Sequence, residues 1–161
     1  MAKAKSPVPE GFHTITTQMT LQHAAQTIEW YKKALGAQEK MRSMGPGGKV
    51  MHAELRIGDS LIMVNDDIAG TAPKTSGAMS LWLYVDDADA LFNRAVAAGA
   101  KVDNSPMGPM QDQFWGDRAG TITDPEGYRW TIATRKEDLT PDEIQKRMNE
   151  FMKNFAPQPT R

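Results

Sequence analysis

Residues 112–120, DQFWGDRAG, hold the densest group of ligand-contacting side-chain types in this chain of 161 residues. Trp115 offers a large rigid apolar face, Arg118 a planar cationic fork, and Gln113 and Asp117 hydrogen-bonding groups, the mixture from which small-molecule sites are built. Trp82, Tyr84 and Phe114 add stacking surface. A structural reading of the same residues stands beside this one, with Trp115 filling core volume and Arg118 paired with Asp117 or Asp124. A second group comprises His52 and Glu54, two residues apart on a strand-like stretch, so that both project from one face, with Arg56 continuing the row. Imidazole beside carboxylate is the pairing that makes a general base or a metal ligand. A solvated strand face, with Glu54 paired to Arg56, has the same spacing. His13 and His23 fall at a strand start and in a strand-to-helix loop, the positions of surface and turn histidines. The chain has no cysteine, which removes thiolate nucleophiles, thiolate metal sites and disulfides.

Composition bounds the partners. Nineteen Lys and Arg stand against 20 Asp and Glu, a formal net charge of −1, without the basic excess that a nucleic-acid backbone demands. No apolar run approaches the roughly 20 residues of a membrane span, and the opening MAKAKSPVPEG has no apolar stretch behind its lysines. The expectation is a cytoplasmic protein with neither nucleic acid nor membrane as partner. At 40% hydrophobic and 24% charged residues the chain has globular composition, and its length fits one domain or two half-size modules.

The elements that must position these groups come in a repeated order. Phe12–Leu21 reads as a strand, and Ala24–Leu35 as a helix with Ala24, Ile28, Tyr31 and Leu35 at helical spacing, stopped by Gly36. Glu39–Met44, Lys49–Ile57 and Leu61–Val64 read as strands separated by Gly-rich turns. The order recurs: a strand at Met79–Val85, a helix capped by Asp86 or Asp87 and running to Ala98, strands near Lys101–Asn104 and within Phe114–Thr123, the turn Asp124–Gly127, and a strand at Tyr128–Ala133. The predicted fold is α+β: two βαβββ modules at 12–66 and 79–134 forming curled mixed sheets around a cavity, joined by a linker at 67–78. Mobile tails are expected at 1–11 and 156–161. The segment 135–155 ends in a helix, for which Thr140 is the cap, Pro141 the first turn and Glu143 the capping-box partner. Its apolar stripe, Ile144, Met148, Phe151, Met152 and Phe155, implies a buried face, packed on its own sheet or gripping a second subunit.

The segments IEWYKKALGA, KVMHAELRIGDSLIMVND, DQFWGDRAG, DPEGYRW and ATRKEDLTPDEIQKRM, in this order, resemble the PhnB-like branch of the vicinal-oxygen-chelate superfamily, which includes glyoxalase I, bleomycin-resistance proteins and extradiol dioxygenases. The likeness spans roughly residues 12–152. It implies sheets whose inner faces line a cavity, with helices outside. Strand alternation then sends Leu81, Leu83 and Val85 under a helix and Ser80, Trp82 and Tyr84 inward. Ile15 and Met19 likewise go under a helix, with Thr14, Thr16 and Gln18 inward. On the last strand Trp130 and Ile132 go under the helix, with Arg129, Thr131 and Ala133 inward. The metal-ligand positions of the family's glyoxalases fall on Thr16, Ile62 or Met63, Ser80 and Thr131, side chains that are poor ligands for Zn²⁺ or Ni²⁺. The resemblance therefore implies a homodimeric protein that binds a small molecule without metal or other cofactor, through Trp82, Tyr84, Gln113, Trp115 and Arg118. The alternative is a lyase or isomerase with a relocated site around His52, Glu54 and Arg118. A methyltransferase reading fails because no glycine-rich turn joins a strand to a helix as a nucleotide-like cofactor needs.

Overall fold

Residues 6–70 and 79–154 are described by a computed structural model. Helix α1 (Ala24–Leu35) buries the stripe Ala24, Ile28, Tyr31 and Leu35, and ends where Gly36 takes a left-handed φ of 72°. It lies on a four-stranded sheet made by β1 (Thr17–Leu21), β2 (Gln38–Met44), β3 (Val50–Ile57) and β4 (Ser60–Asp66). The strand order is β1-β4-β3-β2, with β1 parallel to β4 and the other pairs antiparallel. The second unit repeats this plan. Helix α2 (Ala88–Ala97), capped by Asp87 accepting from the Ala90 amide, covers β5 (Ser80–Tyr84), β6 (Lys101–Val102), β8 (Asp117–Thr123) and β9 (Arg129–Arg135). Their order is β5-β9-β8-β6, with β5 parallel to β9, while β7 (Gln111–Asp112) also pairs with β8. The two mixed sheets are not closed on each other.

The expected alternation holds where strands form. Met19, Trp130 and Ile132 are buried, and Leu81, Leu83 and Val85 pack against the same core, while Ser80, Trp82 and Tyr84 emerge on the opposite face. The first strand departs from expectation. β1 begins only at Thr17, because the Phe12 amide donates to Pro9 and the Thr16 hydroxyl to His13, curling the chain into turns. Ile15 is consequently 91% exposed instead of lying under a helix. In the second unit, residues 113–116 form a turn, shortening the expected strand 114–123, and β7 is an additional short strand. The predicted capping box is present on α3 (Pro141–Lys153), but that helix has no fully buried residue. Its stripe is half-covered and Met152 is 56% exposed. Phe155 and residues 1–5, 71–78 and 156–161 lie outside the described residues.

The two units share one core, tied by polar bonds across the boundary. Trp30 Nε1 donates to the Ala98 carbonyl at 2.8 Å, and Arg94 Nε to that of Ala34 at 3.0 Å, locking α1 to α2. The turn after β8 reaches back into the first unit. Asp124 Oδ2 accepts from Tyr31 Oη at 2.8 Å and Trp130 Nε1 at 3.0 Å, and its Oδ1 accepts from the Glu126 and Tyr128 amides. Burial raises the Asp124 carboxyl above its ordinary value, opposed by these hydrogen bonds, and pushes the Tyr31 phenol well up. Glu126 accepts from the Gln22 and His23 amides, both at 2.8 Å, and from the Thr27 hydroxyl, placing a carboxylate from the second unit on the N-terminus of α1. In Asp124→Ala, four donors lose their acceptor, and stability falls by about 3 kcal/mol in urea unfolding. Tyr31→Phe, which removes one donor, costs about 1 kcal/mol by the same measurement.

Candidate functional site

The outward face of the second sheet gathers aromatic rings over a buried carboxylate. Register fixes which side chains meet: Trp82, Thr131 and Thr121 lie in one row across β5, β9 and β8, and Tyr84, Ala133 and Ala119 in the next. Asp117, at the start of β8, pairs with Arg135 of β9. Ala119 and Ala133, at 1% and 0% exposure, are covered on this face. The chain turns before β8 at Gly116, whose φ is 96° and at which a Cβ would sit 2.9 Å from the Glu137 carbonyl. That turn brings Trp115 beside Trp82, ring centroids 5.9 Å apart, and Trp82 lies 6.0 Å from Tyr84. Phe114 stacks edge-on to Trp115 at 4.9 Å and meets Phe151 of α3 at 5.5 Å, so the last helix buttresses the group.

Asp117 is the polar centre. It is 2% exposed, and its Oδ2 accepts from Trp115 Nε1 at 2.9 Å and Tyr84 Oη at 3.0 Å. Burial and the bond to this carboxylate raise the Tyr84 phenol above its ordinary value. Its Oδ1 is buried without a hydrogen-bond partner among the described residues. Trp82 and Tyr84 remain 47% and 57% exposed, and both also wall an open cleft of about 1030 Å³ between the two units, facing Ile15, Leu61 and Ile62.

The remaining candidates separate from this group. Arg118 is on the helix side of β8, where Nε and Nη2 donate to Asp89 of α2 at 2.8 and 2.7 Å and Nη1 to Asp112 at 3.3 Å. Its partners are thus neither Asp117 nor Asp124, and Asp89 is held below the usual carboxylate range by this guanidinium. Gln113 is buried, its amide donating to the Ala119 carbonyl at 3.1 Å, which holds the turn in shape. His52 and Glu54 do meet, Nε2 to Oε1 at 3.3 Å, on the outward face of the first sheet, where Glu54 lies between Met41 and Met63 in register. Arg56 is paired in register with Leu61 and Gln38. His23 has its Nδ1 3.5 Å from Glu126, and His13 lines the cleft.

The positions at which the resemblance implies metal ligands carry hydroxyl and thioether side chains. Thr16 precedes β1, Met63 offers a thioether, Ser80 begins β5, and Thr131 shares a 2.9 Å hydrogen bond with Thr121. Among the described residues no group of three or more His, Asp or Glu side chains is arranged to hold a metal ion. Arg135 and Phe151 were not among the sequence candidates, because their place at the site depends on strand register and on where α3 docks.

Comparison with known proteins fits this architecture. The family model described as the Glyoxalase/Bleomycin resistance protein/Dioxygenase superfamily matches residues 12–132. An uncharacterised protein of Mycobacterium bovis is 36% identical over 143 residues, covering 84% of this chain and 91% of that protein. Among solved structures, a PhnB protein from Bacillus cereus superposes with a TM-score of 0.63 at 18% identity, covering 76% of this chain and 99% of that one. TioX from Micromonospora sp. ML1 superposes with a TM-score of 0.59 at 24% identity, covering 80% and 100%.

The geometry makes Asp117 the anchor of the aromatic group. Trp115→Phe and Tyr84→Phe, which keep a ring and remove one donor each, lower stability by about 1 kcal/mol apiece in urea unfolding. The double variant loses more than the sum, because Oδ2 is then left with neither bond.

Proposed function

The chain belongs to the Glyoxalase/Bleomycin resistance protein/Dioxygenase superfamily, and from that premise we propose that it is a small-molecule binding protein, working without a metal, whose ligand stacks on Trp82, Tyr84 and Trp115. The observation that carries this reading is the gathering of three rings on an outward sheet face, two of them about half exposed, around one buried carboxylate. Rings left half exposed at a concave boundary bring apolar area and stacking to a ligand at little cost in side-chain order. Gln113 supports the site by shaping its turn, and Arg118 supports it from behind by tying β8 to α2. The donor chemistry at Thr16, Met63, Ser80 and Thr131 does not fit a divalent ion, so no step through a metal-stabilised enediolate is assigned.

A lyase or isomerase activity centred on His52 and Glu54 is the second reading, favoured by their direct contact. No helix among the described residues is long and apolar enough to cross a membrane. We also propose that the working form is a homodimer. Among the described residues β1 pairs only with β4 and β5 only with β9, and an open strand edge beside an apolar cleft is a surface that a second copy can cover. The half-covered stripe of α3 offers it a further contact.

A library of small aromatic molecules, screened by tryptophan emission, should yield ligands whose affinity falls about 5- to 100-fold in Trp82→Ala and in Trp115→Ala. Affinity should be unchanged in His52→Ala, and added Zn²⁺ or Ni²⁺ should leave Tm unmoved. Full affinity in both tryptophan variants, with folding intact, contradicts the site. A metal bound stoichiometrically and lost in His52→Ala would favour the enzyme reading. Light scattering at micromolar concentration should give twice the 17.8 kDa chain mass, and a monomer mass contradicts the dimer.

A further inference from the structure

We propose that the ligand is a long amphipathic carboxylate, its ring stacked on Trp82 and Tyr84 at one end of the cleft between the two units and its carboxylate held by Arg94 at the other. The inference rests on the small-molecule reading above, at the two rings that wall the cleft, and names the ligand class. The cleft measures about 1030 Å³, and between those ends its walls are apolar, with Leu81, Leu83 and Leu91 of the second unit across from Leu61 and Ile62 of the first. Chain geometry separates the ends. Tyr84 closes β5, and Asp87, just beyond it, caps α2. Asp87, Ala90, Leu91 and Arg94 fall at helical spacing along one side of α2, and all four line the cleft. At about 1.5 Å per residue, Arg94 stands about 10 Å along the helix from Asp87 and thus from the aromatic end.

Charge selects the head group. Among the described Asp, Glu, Lys and Arg side chains, those that line the cleft are Asp59, Asp87 and Arg94. Each acid already has a donor: the Ala90 amide bonds Asp87, and the Ser60 hydroxyl bonds Asp59 on the exposed β3–β4 turn. Arg94 donates its Nε to the Ala34 carbonyl at 3.0 Å, which anchors the guanidinium at the last turn of α1, and it has no carboxylate partner among the described residues. The side chain is exposed, so a head group can reach it, and its two Nη groups are the edge that a carboxylate bonds in bidentate fashion. A long alcohol gains the rings and the apolar walls alone, and an amine meets Arg94 as a like charge. A carboxylate on a short chain cannot serve both ends at once.

The test uses the full chain and four probes, 8-phenyloctanoate, 8-phenyloctanol, 8-phenyloctylamine and 3-phenylpropionate, titrated by calorimetry near pH 7. The long acid should bind about tenfold tighter than the long alcohol and the short acid, with the amine weaker than the alcohol. Arg94→Gln, which keeps an amide donor for the Ala34 carbonyl and is checked for folding by circular dichroism, should abolish the preference for acid over alcohol. The alcohol's affinity should stay within about twofold. A second measurement places the ligand whether or not that variant folds. The chain has no cysteine, so in Ala90→Cys, an exposed position midway along the α2 wall, alkylation of the thiol by iodoacetamide reports on the cleft alone. Saturating 8-phenyloctanoate should slow that reaction severalfold. Equal binding of long acid and long alcohol, or of long and short acid, overturns the inference and leaves the small-molecule reading standing. So does an acid preference that survives Arg94→Gln, or a thiol that saturating 8-phenyloctanoate leaves unprotected. Failure of these probes while the aromatic library binds overturns the inference alone, and failure of both sets to bind defeats both.

Discussion

The carboxylate of Asp124 holds the architecture in place. It accepts from its own turn at the Glu126 and Tyr128 amides, from Trp130 on the last strand of its own unit, and from Tyr31 on the helix of the other unit. A single side chain thereby closes the β8–β9 turn and fastens α1 against the second sheet. Removing water from that carboxylate is costly, which is why burial raises its proton affinity even with four donors around it. Tyr31 and Trp130, both buried and 5.6 Å apart in an edge-on arrangement, seal it. Glu126, two residues on, puts its carboxylate against the free amides that begin α1.

The aromatic face inherits its geometry from that turn. Closing β8 on β9 at residues 124–127 sets a register in which Thr121 meets Thr131, Ala119 meets Ala133 and Asp117 meets Arg135. A slip of one residue would send Asp117 to the helix side and Arg118 outward, because alternate residues face opposite ways. In the register that forms, Arg118 meets Asp89 of α2, and the two faces of β8 divide the work: a guanidinium that ties strand to helix behind, a carboxylate that organises rings in front. The same separation explains why the segment DQFWGDRAG is dense in functional types without all of them serving one site.

Much of this was legible in the sequence. The helix α1 and its glycine stop, a cap at Asp86 or Asp87, the capping box at Thr140 and the repeated order of elements are local signals that fall within a few residues of the chain. The alternation that turns Trp82 and Tyr84 away from the core is likewise local. What could not be read is what depends on partners distant in sequence. Ile15 has the composition of a strand residue but lies in a turn, held there by side-chain and backbone bonds of its neighbours. The sequence offered Arg118 two acidic partners, Asp117 and Asp124, and its main partner is Asp89, on a helix 29 residues away. The stripe on α3 announced an apolar face without saying that only part of it would be covered by its own chain.

The chain's four tryptophans offer a direct test, since two belong to the architecture and two to the proposed site. Trp30 and Trp130 give their indole N–H to Ala98 and Asp124 inside the molecule, while Trp82 and Trp115 stand on the outward aromatic face. The indole ¹H–¹⁵N resonances, assigned by single Trp→Phe variants, report on each separately as a ligand is titrated. The account predicts that the Trp82 and Trp115 signals move along the binding isotherm while those of Trp30 and Trp130 stay fixed. A ligand that binds while Trp82 and Trp115 remain still would contradict it.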